Sequence, residues 1–419
     1  MSVASVKGVR DLLPGEAERW QAAELVARAV FRAYGFAEIR IPIIESNELF
    51  VRSVGEATDI VEKEMFTFPD RHGELLCLRP EGTAPVVRAF IENKLYATDP
   101  VAKLFYIGPM FRYERPQRGR YRQFHQIGAE VLGVAEPLLD AEVLEMVVHL
   151  VGRLGVTGVE LQLNSLGDAR CRPAFLTALQ GFLRSVRAEL CGDCHRRLEV
   201  NPLRVLDCKN EGCQAVLARA PLVSEALCAE CRAHYEAVKA YLRQQGVAFV
   251  EHPRLVRGLD YYVRTAFELV ATTGLGAKNE VAAGGRYDGL VRDLGGPDVP
   301  GMGFAIGMER LMALLPEGSS EPAQPFLFVA SVGQTGEAAW RLLTELRHEG
   351  VPAEAGYEGK SLKSQLRRAH KLGALYVAIL GEDELNAGQI TLRDMKAQRQ
   401  DAVPLARARQ EIVARWASR

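Results

Sequence analysis

No apolar run in this chain of 419 residues reaches the length of about 18 that a membrane-spanning helix needs. The opening MSVASVKGVRDLLPGE has no apolar stretch of the kind that directs secretion. A strong charge of either sign is missing too. With 52 Lys+Arg against 53 Asp+Glu the formal net charge is -1, which excludes a uniformly basic nucleic-acid binder and makes any such surface local. There is no Walker sequence for phosphate. GMGFAIG (301–307) misses the dinucleotide fingerprint, since its third glycine comes one residue late and no βαβ opening surrounds it. A chain-wide disulfide framework is also missing, because six of the eight cysteines fall between 191 and 231. The expectation is a soluble, cytoplasmic protein whose 48% hydrophobic residues are ample for a core. At about 150 residues per domain it would have two or three domains.

The clearest seam is PEGSSEPAQP, residues 316–325, with three prolines and no large apolar residue. Beyond it, strand-like FLFVASV, VPAEAGY and ALYVAIL alternate with helix-like TGEAAWRLLTELRHEG and SLKSQLRRAHKLG, which predicts a small α/β domain with a largely parallel sheet. That segment, 326–419, carries 14 Lys+Arg and 11 Asp+Glu. Lys360, Lys363, Arg367 and Lys371 form one helix stripe opposite Leu362, Leu366 and Ala369. A solvated face explains such a stripe, and so does contact with an RNA backbone. Before the seam, a helix at about 15–34 leads into several strand-like runs, and a cysteine-bearing segment interrupts them from about 170 to 253. The pattern predicts an α+β fold on a large antiparallel sheet with an inserted subdomain.

Residues 111–130 read FRYERPQRGRYRQFHQIGAE, with five arginines within eleven residues and no lysine. The planar guanidinium fork suits phosphates and carboxylates, although a solvated charged hairpin would use the same letters. As a hairpin turning at PQRGR, the stretch puts Arg112 and Glu114 on one strand face, and Phe124, Gln126, Gly128 and Glu130 on one face of the returning strand. An arginine for phosphate, a ring for a base and carboxylates for amines point to a nucleotide together with an amino acid. RPEGTAPVVR places Glu81 and Thr83 beside Gly82, where the backbone allows a small ligand close. NEVAAGGRYDGL and GMGFAIGMERL, with Arg310, predict a tightly packed strand and helix beneath a polyphosphate.

GFAEIRIPIIE (35–45), the 111–130 stretch and GMGFAIGMERL (301–311) resemble, in order, the three motifs of class II aminoacyl-tRNA synthetases. LVRGLDYYVRTAFE (255–268) and AAGGRYDGL (282–290) resemble the segments that mark the histidyl-tRNA synthetases of bacterial type, and the likeness runs along essentially the whole chain. It implies a class II catalytic core over 1–320 with the inserted subdomain, a linker at 316–325, and an anticodon-binding domain at 326–419. It further implies a homodimer joined through the first motif with Pro42, tRNA(His) as partner, and histidine and ATP with magnesium as substrates.

By the same resemblance Arg112 and Arg257 are catalytic residues at the α-phosphate. Glu114 holds the adenine amino group, Phe124 stacks on the adenine, and Arg310 pairs with the outer phosphates. Glu81, Thr83 and Gln126 bind the ammonium and carboxylate of histidine, beside Arg257. Glu130 and either Tyr261 or Tyr262 read the imidazole. A neutral imidazole has one N–H and one lone pair, which a carboxylate and a hydroxyl satisfy together. Ligands without those groups would leave the site's own unpaired, so editing is not required. Arg115, Arg118, Arg120 and Arg122 are expected to extend toward pyrophosphate and the acceptor end of the tRNA.

Two other functions compete. Some relatives are non-catalytic regulatory subunits of ATP phosphoribosyltransferase, but these usually lack the anticodon-binding domain and lose active-site positions. Here 326–419, Arg112, Arg257 and Arg310 are all present. A class II synthetase for another amino acid is disfavoured by LVRGLDYYVRTAFE.

In the cysteine segment, CGDC (191–194) and CAEC (228–231) are two C-x-x-C pairs about 33 residues apart that suit a tetrahedral zinc, with Cys208 and Cys213 as substitutes. Buried reduced thiols are the alternative, and the reaction needs no zinc, so no metal site is assigned. His195 and His234 are expected at the surface. Glu38, Arg264 and Arg286 are expected in structural roles. Tyr261 and Tyr262, as strand neighbours, are expected to face opposite ways.

Overall fold

The structure is a computed structural model that describes residues 3–56, 58–117, 119–275, 279–316, 324–357 and 359–418. The described residues form two compact units. The first takes in the chain up to Leu13 and from Trp20 to Pro316, and the second Pro14–Arg19 and the chain from Gln324 onward. Most of the expected linker, 316–325, lies outside the described residues.

Helix α1 (Glu16–Ala33) buries Trp20, Ala23, Ala27, Val30 and Phe31, a spacing of three and four that makes one apolar stripe. After β1 (Ala37–Glu38), strands β2 (Ile44–Ser46), β3 (Phe66–Pro69) and β4 (Leu75–Leu78) make a three-stranded sheet with α2 (Asn47–Val54) between the first two in sequence. Helix α3 (Thr83–Glu92) precedes the long pair β5 (Ala102–Phe111) and β6 (Gln123–Leu132). Then come α4 (Pro137–Arg153) and β7 (Val159–Ser165), followed by four helices: α5 (Arg172–Ser185), α6 (Gly192–Val200), α7 (Glu211–Leu217) and α8 (Ala229–Gln244). The unit ends with β8 (Val250–Glu251), β9 (Val263–Ala271), β10 (Glu280–Arg286), α9 (Leu290–Asp293), β11 (Gly301–Gly307) and α10 (Met308–Leu314).

Eight strands form the main sheet in the order β1-β5-β6-β11-β10-β9-β7-β8. Its six long strands are antiparallel, as the sequence suggests, but the short strand at each edge runs parallel to its neighbour. One face is covered by α1, α4, α8 and α10 over a single apolar core. The Phe31 ring stacks on Phe105 at 4.6 Å and packs against Phe304 at 6.3 Å. Such aromatic pairs add about 0.5–1.5 kcal/mol beyond area burial. On the opposite face Tyr106, Tyr262, Leu132 and Tyr287 pack with Val86, Val87 and Phe90 of α3 into smaller apolar clusters, beside which Ala283 and Ala305 border a cavity.

Asp140 on α4 is fully buried, and three elements converge on its carboxylate. Arg286 Nε donates over 2.8 Å and Thr265 Oγ1 over 2.5 Å, while His234 Nε2 lies 2.8 Å away. His234 is therefore a buried hub that fastens α8 to the sheet, which corrects its expected surface position. The expectation fails because a polar residue on the inner face of a helix is affordable when a buried carboxylate meets it. Arg286 has the structural role expected of it. Helices α5 to α8 enclose a separate core around Phe175, Leu179, Leu183 and Leu198, into which Cys194, Cys208, Cys213 and Cys231 are also packed.

The second unit contains β12 (Leu327–Ser331), α11 (Gly336–His348), β13 (Ala353–Ala355), α12 (Leu362–Lys371), β14 (Tyr376–Leu380), α13 (Glu382–Asn386), β15 (Gln389–Asp394), β16 (Gln400–Pro404) and α14 (Leu405–Ala417). The sheet order is β13-β12-β14-β15-β16. The first three strands are parallel, as the strand–helix alternation predicts; the antiparallel hairpin β15–β16 is an addition. On α12, Lys363, Arg367 and Lys371 are exposed, as is Lys360 just before it, while Ala369 is buried.

Candidate active site

Strand alternation sends Gln126, Ala283 and Ala305 to the face opposite the core residues Ile127, Ala282 and Ile306. There the sheet forms the floor of a cavity of about 510 Å³. Every residue expected from the sequence to bind the amino acid or the nucleotide lines this cavity except Glu130, which is buried against Thr83.

One group of side chains is built for negative charge. Arg112 Nε donates to the Pro80 carbonyl over 2.9 Å, and its Cζ lies 5.3 Å from the Phe124 ring centroid. Arg310 Nη1 donates to the Glu280 carbonyl over 2.7 Å. Arg257 is mostly buried, pairs with Glu268, and has Nη2 3.5 Å from Glu280. Its Nε is buried and finds no hydrogen-bond partner among the described residues. Burial pushes the Glu268 carboxyl up to about 7 even though Arg257 opposes the shift. Glu114 is buried and pairs with Arg120, which also lies 3.8 Å from Glu64.

The other group is built around two buried carboxyls. Glu81 accepts the backbone N–H groups of Thr83 and Ala84 at 2.7 and 2.9 Å, capping the first turn of α3. Burial raises its pKa against those hydrogen bonds. Glu130, on β6, is 0% exposed and accepts from the Thr83 hydroxyl over 2.7 Å, from Tyr287, and from Tyr106 over 3.5 Å. Burial pushes its carboxyl up to about 8, with Glu81 adding to the rise and the Tyr287 and Thr83 hydrogen bonds resisting it. Gln126 Oε1 and the Tyr261 hydroxyl are buried without partners among the described residues. Tyr262 is buried as well, and burial drives its phenol to about 12.

Several expectations change in detail. Strand β5 stops at Phe111, so Arg112 and Glu114 lie in the following segment rather than on a strand face. There the backbone N–H of Tyr113 turns aside to donate to Glu64 O over 2.6 Å. Gly82 does not make room for a ligand: a Cβ there would lie 2.2 Å from the Tyr106 ring, which also fills the space above Gly128. Tyr261 and Tyr262 both line the cavity, because β9 begins only at Val263 and strand alternation does not govern them. Of the loop arginines, Arg115 is exposed, but Arg120 is folded onto Glu114 and Arg122 over the Tyr113 ring at 3.8 Å. Arg118 lies outside the described residues.

Tyr106, Tyr287, Glu268 and Glu280 escape the sequence reading. The two tyrosines sit in apolar or glycine-rich surroundings that read as core, and only their convergence on Glu130 reveals them. The cysteines also pair differently from expectation. Cys191 and Cys194 gather with Cys208 and Cys213, whereas Cys228 and Cys231 join Cys171 and Asp168.

Residues 8–311 match the family profile described as histidyl-tRNA synthetase, and 327–415 match the anticodon binding domain. The chain is 52% identical over 414 residues to a histidine–tRNA ligase of Syntrophotalea carbinolica, covering 99% of each. It is 56% identical over 409 residues to the histidine–tRNA ligase of Trichlorobacter lovleyi, covering 97% of each. The crystal structure of apo histidyl-tRNA synthetase from S. aureus superposes with a TM-score of 0.83 at 37% identity, over 98% of this chain and all of that one. With its class II catalytic fold and anticodon-binding domain, the chain belongs to the histidyl-tRNA synthetase family.

Proposed function

We propose that this cavity joins histidine to ATP, the first half of the histidine–tRNA ligase reaction that is the activity of the chain's full-length relatives. The carrying observation is that one cavity holds Arg112, Arg257 and Arg310 together with the Glu81–Thr83–Glu130 cluster. The whole-chain likeness to histidine–tRNA ligases does not favour a regulatory subunit.

A histidine carboxylate oxygen attacks the ATP α-phosphorus, and the bond to pyrophosphate breaks. Arg112 and Arg257 offset the charge that builds at phosphorus, held in place beforehand by Pro80, Glu268 and Glu280. Arg310 takes the outer phosphates, Phe124 stacks on the adenine and Glu114 accepts from its amino group. A magnesium ion bound with ATP would be held by the hard carboxylate oxygens of Glu268 and Glu280 and would offset phosphate charge. Glu81 and Gln126, with the Thr83 hydroxyl, bind the ammonium and carboxylate of histidine. Glu130 and a tyrosine of the Tyr261–Tyr262 pair match the two nitrogens of the imidazole. A terminal ribose hydroxyl of tRNA(His) then attacks the histidyl carbonyl and AMP leaves.

We assign residues 1–320 to catalysis, with an inserted subdomain at about 170–253 and 316–325 as connector, and 326–419 to the anticodon; the two family matches support this division. The exposed α12 stripe suits the tRNA backbone. Ile44, Phe68 and Leu75 stand exposed on the small β2-β4-β3 sheet, an apolar surface that suits a symmetric homodimer. Among the described residues no helix is long and apolar enough to cross a membrane. We assign the enzyme to the cytoplasm, where tRNA, histidine and ATP meet.

ATP–pyrophosphate exchange with each of the twenty amino acids tests the reading. Exchange with histidine alone is expected. Exchange with none removes the catalytic assignment, and exchange with another amino acid overturns the imidazole site.

A further inference from the structure

We propose that Cys191, Cys194, Cys208 and Cys213 hold one zinc ion, which staples a wall of the cavity in place. Their four sulfurs lie within 4.8 Å of one another. Cys191 and Cys208 are 3.8 Å apart at Sγ. A tetrahedron of zinc–sulfur bonds of about 2.3 Å sets sulfurs about 3.8 Å apart, so the side chains are already arranged for the ion. Cys194, Cys208 and Cys213 are buried and Cys191 half-buried. Two backbone N–H groups donate to the sulfurs, Cys191 to Cys213 Sγ over 3.1 Å and Asn210 to Cys208 Sγ over 3.5 Å. Such N–H···S bonds orient and stabilise metal-bound thiolates. In an ordinary apolar core these positions would hold aliphatic side chains, and a single disulfide would leave two of the four thiols unexplained.

Local structure delivers the ligands in pairs. Cys191 precedes α6 and Cys194 lies in its first turn. The Asn210 side chain accepts from Cys213 N over 3.2 Å, setting the start of α7 just after Cys208. The segment between the pairs reaches the cavity. Arg197 Nη2 donates to Asp59 over 3.1 Å, Arg204 Nη1 donates to the Arg257 carbonyl over 3.3 Å, and both arginines line the cavity with Asp207. Closing the ends of this segment with a metal limits its freedom and fixes Arg204 against Arg257. The second group, Asp168 with Cys171, Cys228 and Cys231, is assigned no ion, because its carboxylate is already engaged by Arg170 at 2.7 Å and Arg264 at 3.6 Å.

The test is metal content of the full chain, purified under reducing conditions, by plasma mass spectrometry, alongside Cys194→Ser and Cys228→Ser. One zinc per chain is expected, lost in Cys194→Ser and kept in Cys228→Ser. Cobalt added to the metal-stripped protein should give the sulfur-to-metal absorption of a four-thiolate site. Two zinc ions per chain, with only one lost in Cys194→Ser, support the four-cysteine site but overturn the exclusion of the second group. Less than about a tenth of an equivalent with no cobalt spectrum overturns the proposal. So does zinc that survives Cys194→Ser but not Cys228→Ser, a brown iron–sulfur chromophore, or a disulfide among the four cysteines. Should Cys194→Ser fail to fold, a mercurial reagent titrating four thiols per zinc released from the wild type reads the same ligand set. The link to the cavity rests on the proposed function: loss of the ion should raise the KM for ATP about tenfold. An unchanged KM overturns the staple, while metal content is read independently of activity.

Discussion

The Thr83 hydroxyl donates to Oε1 of Glu130 over 2.7 Å, tying the first turn of α3 to the later part of β6. The Thr83 backbone N–H also donates to Glu81, so one residue, through its amide and its hydroxyl, holds both buried carboxyls in register. Thr83→Val keeps the shape and removes the donor. A lost hydrogen bond to a charged or buried partner costs about 1–3 kcal/mol, so the KM for histidine in pyrophosphate exchange should rise roughly ten- to hundredfold. The KM for ATP should change little. Equal losses for both substrates would show that the pair shapes the whole cavity instead.

Glu130 gives stability a definite pH slope. Its carboxyl is raised to about 8 in the folded protein from a usual value of 4.5. Between those values the folded state keeps a proton that the unfolded chain has lost. The stabilising contribution is therefore complete below about pH 4.5 and declines as pH rises toward 8. Glu268, raised to about 7, acts in the same direction. In ligand-free protein the melting temperature of the wild type, measured relative to Glu130→Gln, should fall from about pH 5 to pH 8. A rising or flat difference contradicts this protonation of Glu130.

Arg257→Ala should lower the rate of adenylate formation by about 10²–10³, the scale of losing one fixed charge-stabilising donor. The effect belongs in kcat, because the charge it meets is greatest in the transition state. Arg257→Lys should recover only part, since an ammonium cannot reproduce a fork held between Glu268 and Glu280. A loss confined to KM would assign Arg257 to ground-state binding alone.

Gly303 lies opposite Glu130 in the β6–β11 ladder. A Cβ there would fall 1.8 Å from Glu130 Oε2 and 2.7 Å from the Ala129 carbonyl. Gly303→Ala should cost about 1–3 kcal/mol in urea unfolding and abolish detectable histidine exchange. Normal exchange in this variant would mean that Glu130 is free to move away.

Asp140→Ala leaves the fully buried Arg286 without its main counter-charge and strands His234 and Thr265. Breaking a buried pair in this way costs about 3–5 kcal/mol. The unfolding midpoint in urea should drop accordingly. Asp140→Asn, which keeps one acceptor oxygen for these donors, should lose less; equal losses would show that charge alone matters.

Much of this was legible from the letters, for reasons tied to particular residues. In the second unit β12 and β13 each lead to a helix that stops near a glycine, so Gly350 and Gly373 marked the alternation. The β15–β16 hairpin went unread because its mixed run Gln389–Asp394 lacks the apolar continuity of β12 and β14. In the site, Arg112, Glu81 and Glu130 stand out as charges amid strand-like residues. Tyr106 and Tyr287 do not, since a buried tyrosine between apolar neighbours is spelled the same way whether it packs or donates. The cysteine partners depend on how α6 and α7 turn, a three-dimensional matter that the repeated C-x-x-C spacing hides.

The strand order has a consequence for the newborn chain. Strand β11 lies between β6 and β10, although it is the last strand of its sheet to be synthesised. Roughly 170 residues separate Leu132 from Gly301, so at about 5–20 residues per second the inner edge of β6 waits on the order of ten to thirty seconds on the ribosome without its neighbour. That edge offers unpaired N–H and C=O groups to any passing strand. The hazard of misassembly during translation thus comes from topology, and it ends only when the glycine-rich strand slides into the gap.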